Sequence, residues 1–321
     1  MRAKSNTSKI DVKIVFFGTP FFAAKCLEYL LDHNVDIAAV VTQPDRPRGR
    51  SLEVSPEAVK ALILEKAPHT PLFQPEKGSN ADFLAKIALL KPDLFVVVVF
   101  GQILPQKLLD IPRLGAINVH PSLLPKFRGA APIRRCLMAG EQQTGVVIQK
   151  MVFQMDAGDV IDGVQLPIPP DMNHGALEEK LLELSKGLLL KVIQKCEKGI
   201  LEGKKQDPNE VTFAPKLSPE ELEVHWEWPA QKFHNWVRAL SPKPAGWCWY
   251  MSGKEKKRVK IIRTRVVQGV GRPGERLNGD GVFACGEGAL QLIEVQPEGK
   301  KRMGALDWLR GCPINSQIFI V

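Results

Sequence analysis

The chain has 321 residues, 44% hydrophobic and 25% charged, which argues against a disordered or collagenous chain and leaves a globular protein of about two domains. Lysine and arginine number 44 against 35 acidic residues; the resulting formal charge of +9 suits either a polyanionic partner or simply a basic enzyme. The six cysteines lie far apart with no CxxC pair and no apolar run approaches the roughly 20 residues of a membrane span, so no metal site and no membrane association are expected, and a reducing, cytoplasmic location is.

Residues 1–9 are polar and basic without the apolar core of a signal peptide, and read as a frayed tail. Val12–Phe17 is a continuous apolar run ended by Gly18, the pattern of a strand buried on both faces. Pro20 opens a helix to about Leu31, Val35–Thr42 is a second strand, and Ser55 is placed to cap a helix from Pro56. Asn80–Leu90 reads as a helix and Asp93–Phe100 as the strongest strand. Strands alternating with helices predict an α/β fold with a doubly wound, Rossmann-like, mostly parallel sheet over residues 10–198. The turn after the first strand, Gly18-Thr19-Pro20-Phe21-Phe22, has one glycine where a dinucleotide fingerprint needs three. The second strand ends in Thr42-Gln43 rather than in an acid for a ribose, so hydride transfer is disfavoured. Pro44–Pro56 (PDRPRGRSLEVSP) is a loop carrying Arg46, Arg48 and Arg50, either a solvated charged loop or an arm that touches phosphates.

Ala116–His120 predicts a short buried strand, stopped by Pro121. Thr144–Val152 is another strand and runs into the turn Gln154–Asp159 (QMDAGD). Asp171 or Asn173 starts a helix over about 175–198, with Leu177, Leu181, Leu184, Leu188 and Val192 at helical spacing. Residues 199–210 are polar, with glycine and proline, and read as a linker. From 211 to 321 the texture changes. One amphipathic helix, Pro229–Leu240, precedes short strands at Gly246–Met251, Arg258–Val267, Gly281–Ala284 and Leu290–Val295, with a closing helix near Met303–Arg310. These predict a small C-terminal OB-like β-barrel domain.

Asn118 and His120 are two apart on one strand, so their side chains share a face, and Asp156 leaves the end of another strand. Side chains converging from strand ends build the sites of such sheets. An asparagine amide can donate to a developing oxyanion, a histidine exchanges protons near neutrality, and a nearby aspartate can hold the imidazolium or carry a proton. No activated nucleophile accompanies them: Ser122 has no evident base and Cys136 falls in a helix. The set suits an acyl transfer in which the substrate supplies the attacking group. Singly, Asn-x-His and Asp-x-Gly are each as well explained by a strand and a turn.

In combination, NVHPSLLPKFRGAAPI and the later MDAGD resemble the formyltransferases that use 10-formyltetrahydrofolate. FFGTPFFAA, TQPDRPRGR, VVVVFGQILP and RALSPKPAGW extend the resemblance over about Val12–Arg310, and it is to the methionyl-tRNA branch of that family. The resemblance implies that Asn118, His120 and Asp156 form the catalytic set. It implies that the folate donor lies against Phe100, Ile103 and Leu104 and against Ser122, Leu123, Leu124 and Pro125. It further implies methionyl-initiator tRNA as acceptor; a monomer is expected. The arginine loop (Arg46, Arg50), Lys204 and Lys205, and the barrel residues Lys256, Lys257 and Arg258 would touch the tRNA. The run Lys254–Arg265 carries seven basic residues against one acidic, and phosphate contacts bind in a salt-dependent way. The chain departs from the pattern where Gly49-Arg50 is followed by Ser51-Leu52-Glu53 rather than by further basic residues, and at Pro121. Two rival readings are a formyltransferase acting on an aminosugar nucleotide and a non-catalytic nucleic-acid-binding protein built on the barrel.

Overall fold

The structure is a computed structural model and describes residues 11–48, 53–54, 56–199, 202–252, 254–311 and 319. The tail 1–9, the Ser55 cap and Arg50 lie outside the described residues.

The chain opens with β1 (Ile14–Gly18), α1 (Phe21–Asp32), β2 (Ile37–Val41) and a two-residue hairpin, β3 (Pro47–Arg48) with β4 (Glu53–Val54). It continues through α2 (Ala58–Lys66), β5 (Leu72–Phe73), α3 (Ala81–Leu89), β6 (Leu94–Val98) and α4 (Gln106–Leu109). Then come β7 (Ala116–His120), α5 (Pro132–Ala139), β8 (Gln143–Lys150), β9 (Val160–Pro167) and α6 (His174–Glu197). Seven of these nine strands form one sheet in the order β5-β2-β1-β6-β7-β8-β9, and β3 pairs only with β4. The pairs from β5 to β7 are parallel, and β8 runs antiparallel to β7.

Every residue of β1 and β6 is buried, as central strands covered on both faces require. From β1 the chain winds outward to β2 and β5, then returns to lay β6 on the other side of β1. That reversal is the point at which open α/β sheets hold ligands, beyond the carboxyl ends of the strands. Asn80 caps α3 by accepting from the Phe83 N–H (3.0 Å), and Asn173 accepts from the Ala176 N–H (3.0 Å) at the start of α6, as their positions predict. Four strands and the short helix α4 escape the sequence pattern. β5 has only two residues, the β3–β4 hairpin sits within a loop, and β9 is a half-exposed strand at the sheet edge with no continuous apolar run.

The remaining elements are α7 (Ala230–Leu240), β10 (Gly246–Ser252), β11 (Glu255–Val267), β12 (Val282–Ala284), β13 (Ala289–Pro297), β14 (Met303–Gly304) and α8 (Ala305–Arg310). The five strands form an antiparallel, OB-like sheet, β10-β11-β13-β12 with β14 on β13. Register shifts between Ile261 and Thr264 bend the long central strand β11, which lets the sheet curl over Trp226, Phe233, Phe283 and Trp308.

The described chain divides into two compact units. One comprises residues 1–128, 145–165 and 180–212, and the other 129–144, 166–179 and 213–321. Within the second, Arg135 on α5 forms a two-pronged pair with Glu221 (2.5 and 2.9 Å), and Arg134 donates to the carbonyls of Ala239 (2.8 Å) and Lys243 (2.9 Å). No helix among the described residues is long and apolar enough to cross a membrane.

Candidate active site

The site is built at the ends of β7 and β8. Their antiparallel register sets Gln149 opposite Asn118 and Val147 opposite His120. Since alternate residues share a face, Asn118, His120 and Gln149 project to the same side of the sheet. Beyond β8 the chain turns through Asp156, whose φ of +51° lies in the left-handed region, and brings its carboxylate back over that face. The turn is pinned by the Lys150 N–H donating to the Asp159 carbonyl (2.9 Å). Gly158 is required there, because a Cβ would collide with the carbonyl of Lys150.

One carboxylate oxygen is the focus. Asp156 Oδ1 accepts from Gln149 Nε2 at 2.8 Å and from Asn118 Nδ2 at 3.5 Å, and lies 3.6 Å from His120 Nδ1. The other imidazole nitrogen, Nε2, faces the Phe127 carbonyl at 3.0 Å. A carbonyl only accepts, so Nε2 carries the hydrogen, and in the neutral ring Nδ1 presents its lone pair to Asp156. Nδ1 and Oδ1 are then two acceptors face to face, an arrangement relieved by a proton held between them. Burial pushes the His120 pKa down, against the opposing pull of the Asp156 charge and the Phe127 carbonyl. Phe127 owes its inward carbonyl to a left-handed backbone (φ +62°). Such strain collects where surrounding structure over-determines a functional geometry.

Three supporting residues escaped the sequence pattern. Gln149 is 2% exposed, and its signal was available as the one polar side chain facing inward in the strand VVIQ. Arg128 is buried and donates from Nε (3.0 Å) and Nη2 (2.7 Å) to Gln206 Oε1. Gln206 in turn donates from Nε2 to the carbonyls of Asp156 (2.8 Å) and Gly158 (2.7 Å). The polar segment around Lys204 is therefore fastened to the Asp156 turn, and Lys204 exchanges backbone hydrogen bonds with Val160 (2.8 and 2.9 Å).

The residues expected to face the folate separate by depth. Ile103 is 76% exposed, whereas Phe100 and Leu104 are buried. Phe95 and Val97 point into the core beneath β6, and Val99 would follow them by alternation. Its φ of +44° breaks the alternation, sending Val99 outward and the Phe100 ring into the core against Phe17, at 5.4 Å and 80°. Phe100 thus leaves only its backbone beyond β6, whereas Val99 and Ile103 expose their side chains there. Ser122 is fully buried and its hydroxyl donates to the Lys126 carbonyl (2.7 Å), closing the loop after β7. Leu123, Leu124 and Pro125 are half-buried in that loop. Since β6 and β7 are neighbours, the two loops lie at the ends of adjacent strands and offer aliphatic surface beside backbone polar groups. A flat, hydrogen-bonding heterocycle fits that chemistry. Among the described residues no group of three or more His, Cys, Asp and Glu is placed to hold a metal ion.

The basic residues are distributed over both units. Arg46 pairs with Glu76 (3.1 Å) at the surface, and Lys204 and Lys205 are exposed. On β11 alternation divides the basic run. The Arg258 guanidinium lies 4.2 Å from the Trp247 ring and 4.7 Å from Trp249, and the Lys256 ammonium 4.5 Å from Trp249. Lys257 instead pairs with Glu255 (2.6 Å). Lys256 and Arg258 thus share one face of the sheet with two indoles.

Family profiles described as "Formyl transferase" and "Formyl transferase, C-terminal domain" match residues 12–193 and 216–313. The chain is 45% identical to the methionyl-tRNA formyltransferase of Protochlamydia amoebophila (strain UWE25), over 97% of this chain and 98% of that one. It is 44% identical to the enzyme of the same name from Pseudomonas putida (strain GB-1), over 92% and 94%. Among solved structures the fold resembles HypX from Aquifex aeolicus in complex with tetrahydrofolic acid, with a TM-score of 0.62 at 18% identity, over 93% of this chain and 47% of that one. It also resembles the N-formyltransferase from Helicobacter canadensis, with a TM-score of 0.63 at 16% identity, over 91% and 100%. These similarities mean that the chain belongs to the formyl transferase family, in its methionyl-tRNA formyltransferase branch.

Proposed function

We propose that this protein transfers the formyl group of 10-formyltetrahydrofolate to the α-amine of methionyl-initiator tRNA, as a monomer in the cytoplasm, to supply translation initiation. The observation that carries the reading is the gathering of Asn118 and His120 around Asp156 Oδ1, in a chain 45% identical to a methionyl-tRNA formyltransferase along nearly its whole length.

Asn118 Nδ2 donates to the oxygen that gains charge when the amine attacks the formyl carbon. A positioned donor of this kind contributes about 10²–10³ in rate. His120 can assist that oxygen only when Nδ1 carries a proton, because its other nitrogen is committed to Phe127. The proton comes from the attacking amine. The pair Asp156–His120 accepts it as the new N–C bond forms and returns it to the leaving nitrogen as the old N–C bond breaks. Gln149 and Gln206 hold Asp156 in place, so the pair changes protonation without changing position. Lys204, Lys205, Lys256 and Arg258 supply exposed positive charge for the phosphates of the acceptor.

The test is to offer 10-formyltetrahydrofolate with methionyl-tRNA, with an aminosugar nucleotide, and with no acceptor. Formylation of the aminoacyl amine is expected. Preferential formylation of the sugar would overturn the proposed acceptor, and absence of any folate-dependent turnover would overturn the reaction.

A further inference from the structure

Beyond the carboxyl ends of β2, β5 and β6, two glutamine side chains tie three loops together. Gln43, two residues past β2, donates from Nε2 to the Phe100 carbonyl (3.1 Å) and accepts at Oε1 from Gln102 Nε2 (3.1 Å). Gln102 Nε2 also reaches the carbonyls of Pro75 (3.2 Å) and Glu76 (3.3 Å), and its Oε1 accepts from the Gly78 N–H (3.1 Å). The Phe100 carbonyl takes a second bond, from the Thr19 hydroxyl (3.0 Å) in the loop after β1. On the other side, the Gln43 carbonyl accepts from Gln74 Nε2 (2.8 Å), which also donates to Asp45 (3.2 Å), and Lys60 pairs with the same aspartate.

The places joined have different roles. Phe100 stands between Val99 (φ +44°) and Gly101 (φ +87°), two left-handed residues that flank it. A β-branched residue in that region is strained, and the turn keeps its shape only while its neighbours hold it. Thr19 and Gln43 do so by engaging the carbonyl. Gln43, Asp45 and Arg46 form the root of the arginine-bearing loop, and Arg46 pairs with Glu76, whose own carbonyl is held by Gln102.

We propose that Gln43 and Gln102 are positioning residues that make the donor-side turn, residues 99–104, and the root of the arginine-bearing loop a single hydrogen-bonded piece. Both substrates then bind through one shared network. The inference rests on reading residues 99–104 as the wall of the folate site and the arginine-bearing loop as facing the acceptor. A purely structural pair of amides would lower thermal stability and leave both KM values alone. A positioning pair splits KM from kcat, because it touches neither the reacting carbon nor Asp156.

The test is steady-state kinetics of the full chain, with 10-formyltetrahydrofolate and methionyl-tRNA varied in turn, on Gln102→Leu, Gln43→Glu and Ile103→Arg. Gln102→Leu severs the link to Gln43 and to the Glu76 loop, and should raise the KM of both substrates about three- to tenfold with kcat within about twofold. Gln43→Glu keeps the length of the side chain and an acceptor for Gln102 but cannot donate to Phe100. It should raise the donor KM by a similar factor, and it serves if Gln102→Leu does not fold. Ile103→Arg should raise the donor KM alone. Donor and acceptor KM values within twofold of wild type in both glutamine variants, with Ile103→Arg impaired, would overturn the proposal while leaving the donor site intact. An unchanged donor KM in Ile103→Arg would withdraw the donor site and the proposal with it.

Discussion

Gln206 offers the sharpest test of how the site is held. It lies 50 residues beyond Asp156 in sequence, yet donates to the Asp156 and Gly158 carbonyls at 2.8 and 2.7 Å and accepts from Arg128 at 2.7 and 3.0 Å. Gln206→Leu removes both sets. The buried Arg128 guanidinium loses its acceptor, a charged hydrogen bond worth about 1.5–3 kcal/mol, and two carbonyls lose donors. Gln206→Glu separates the effects, because a carboxylate still accepts from Arg128 but cannot donate to the turn. The thermal midpoint should therefore fall in both variants, and further in Gln206→Leu, which also strips Arg128 of its acceptor. In both variants the Asp156 turn loses its two donors, and displacement of a catalytic carboxylate by even 1 Å costs about 10²-fold in kcat. Differential scanning calorimetry and single-turnover formylation read the two quantities separately. Wild-type kcat in Gln206→Glu would refute the claim that this residue positions Asp156.

Asn118→Ala should lower kcat by about 10²–10³ with little change in donor KM, measured by formylation of methionyl-tRNA; near wild-type turnover would remove Asn118 from the oxyanion role. Replacing Lys256 and Arg258 together by methionine should lower the slope of log affinity against log salt by about 1–2, whereas Lys257→Met, which removes a residue already paired with Glu255, should leave it nearly unchanged. Equal effects from all three would contradict the division of the basic run between two faces. His174, 9% exposed, has its pKa pushed down to about 3 by burial and by the Arg134 charge, from 6.5 in the unfolded chain. Its contribution to stability is complete above pH 6.5 and is lost as pH falls from there toward about 3, a loss of at most about 5 kcal/mol. Glu178, whose carboxyl burial holds above its usual range, works in the opposite sense, so the readout is the difference between wild type and His174→Asn in urea titrations at several pH values. A flatter acid limb is expected in the variant, and identical limbs would refute the linkage.

The buried strands were legible because their apolar runs are continuous, and the convergence of Asn118, His120 and Asp156 because polar side chains placed where strands stop are brought to one face of the sheet. What escaped has a physical reason in each case. Phe100 ends the apolar run of β6, and local pattern cannot tell that Val99 adopts a left-handed backbone and redirects the ring into the core. Gln206 lies in a polar stretch with glycine and lysine, and nothing local distinguishes a free segment from one fastened by bonds to residues 48 and 50 positions away. The basic run on β11 reads as one block of charge in sequence, yet a strand sends alternate residues to opposite faces. Gln149 was readable in principle, since an inward amide in an apolar strand needs a partner.

The interleaving of the two units bears on how the protein is made. The chain passes from one unit to the other after residues 128, 144, 165, 179 and 212. The unit that carries Asp156 cannot close until Gln206 has been synthesised, by which time residues 129–144 and 166–179 of the other unit are already exposed and waiting for 213–321. At a translation rate of about 5–20 residues per second, that wait lasts roughly 10–40 seconds from the first of those segments to the last residue. Buried side chains such as Ile133 and Leu137 spend that interval without their native neighbours on α7, so the apolar face of α5 is left uncovered while the rest of the chain is made. For the same reason, a fragment ending near residue 198 would lack Gln206 and would keep two segments that belong to the other unit.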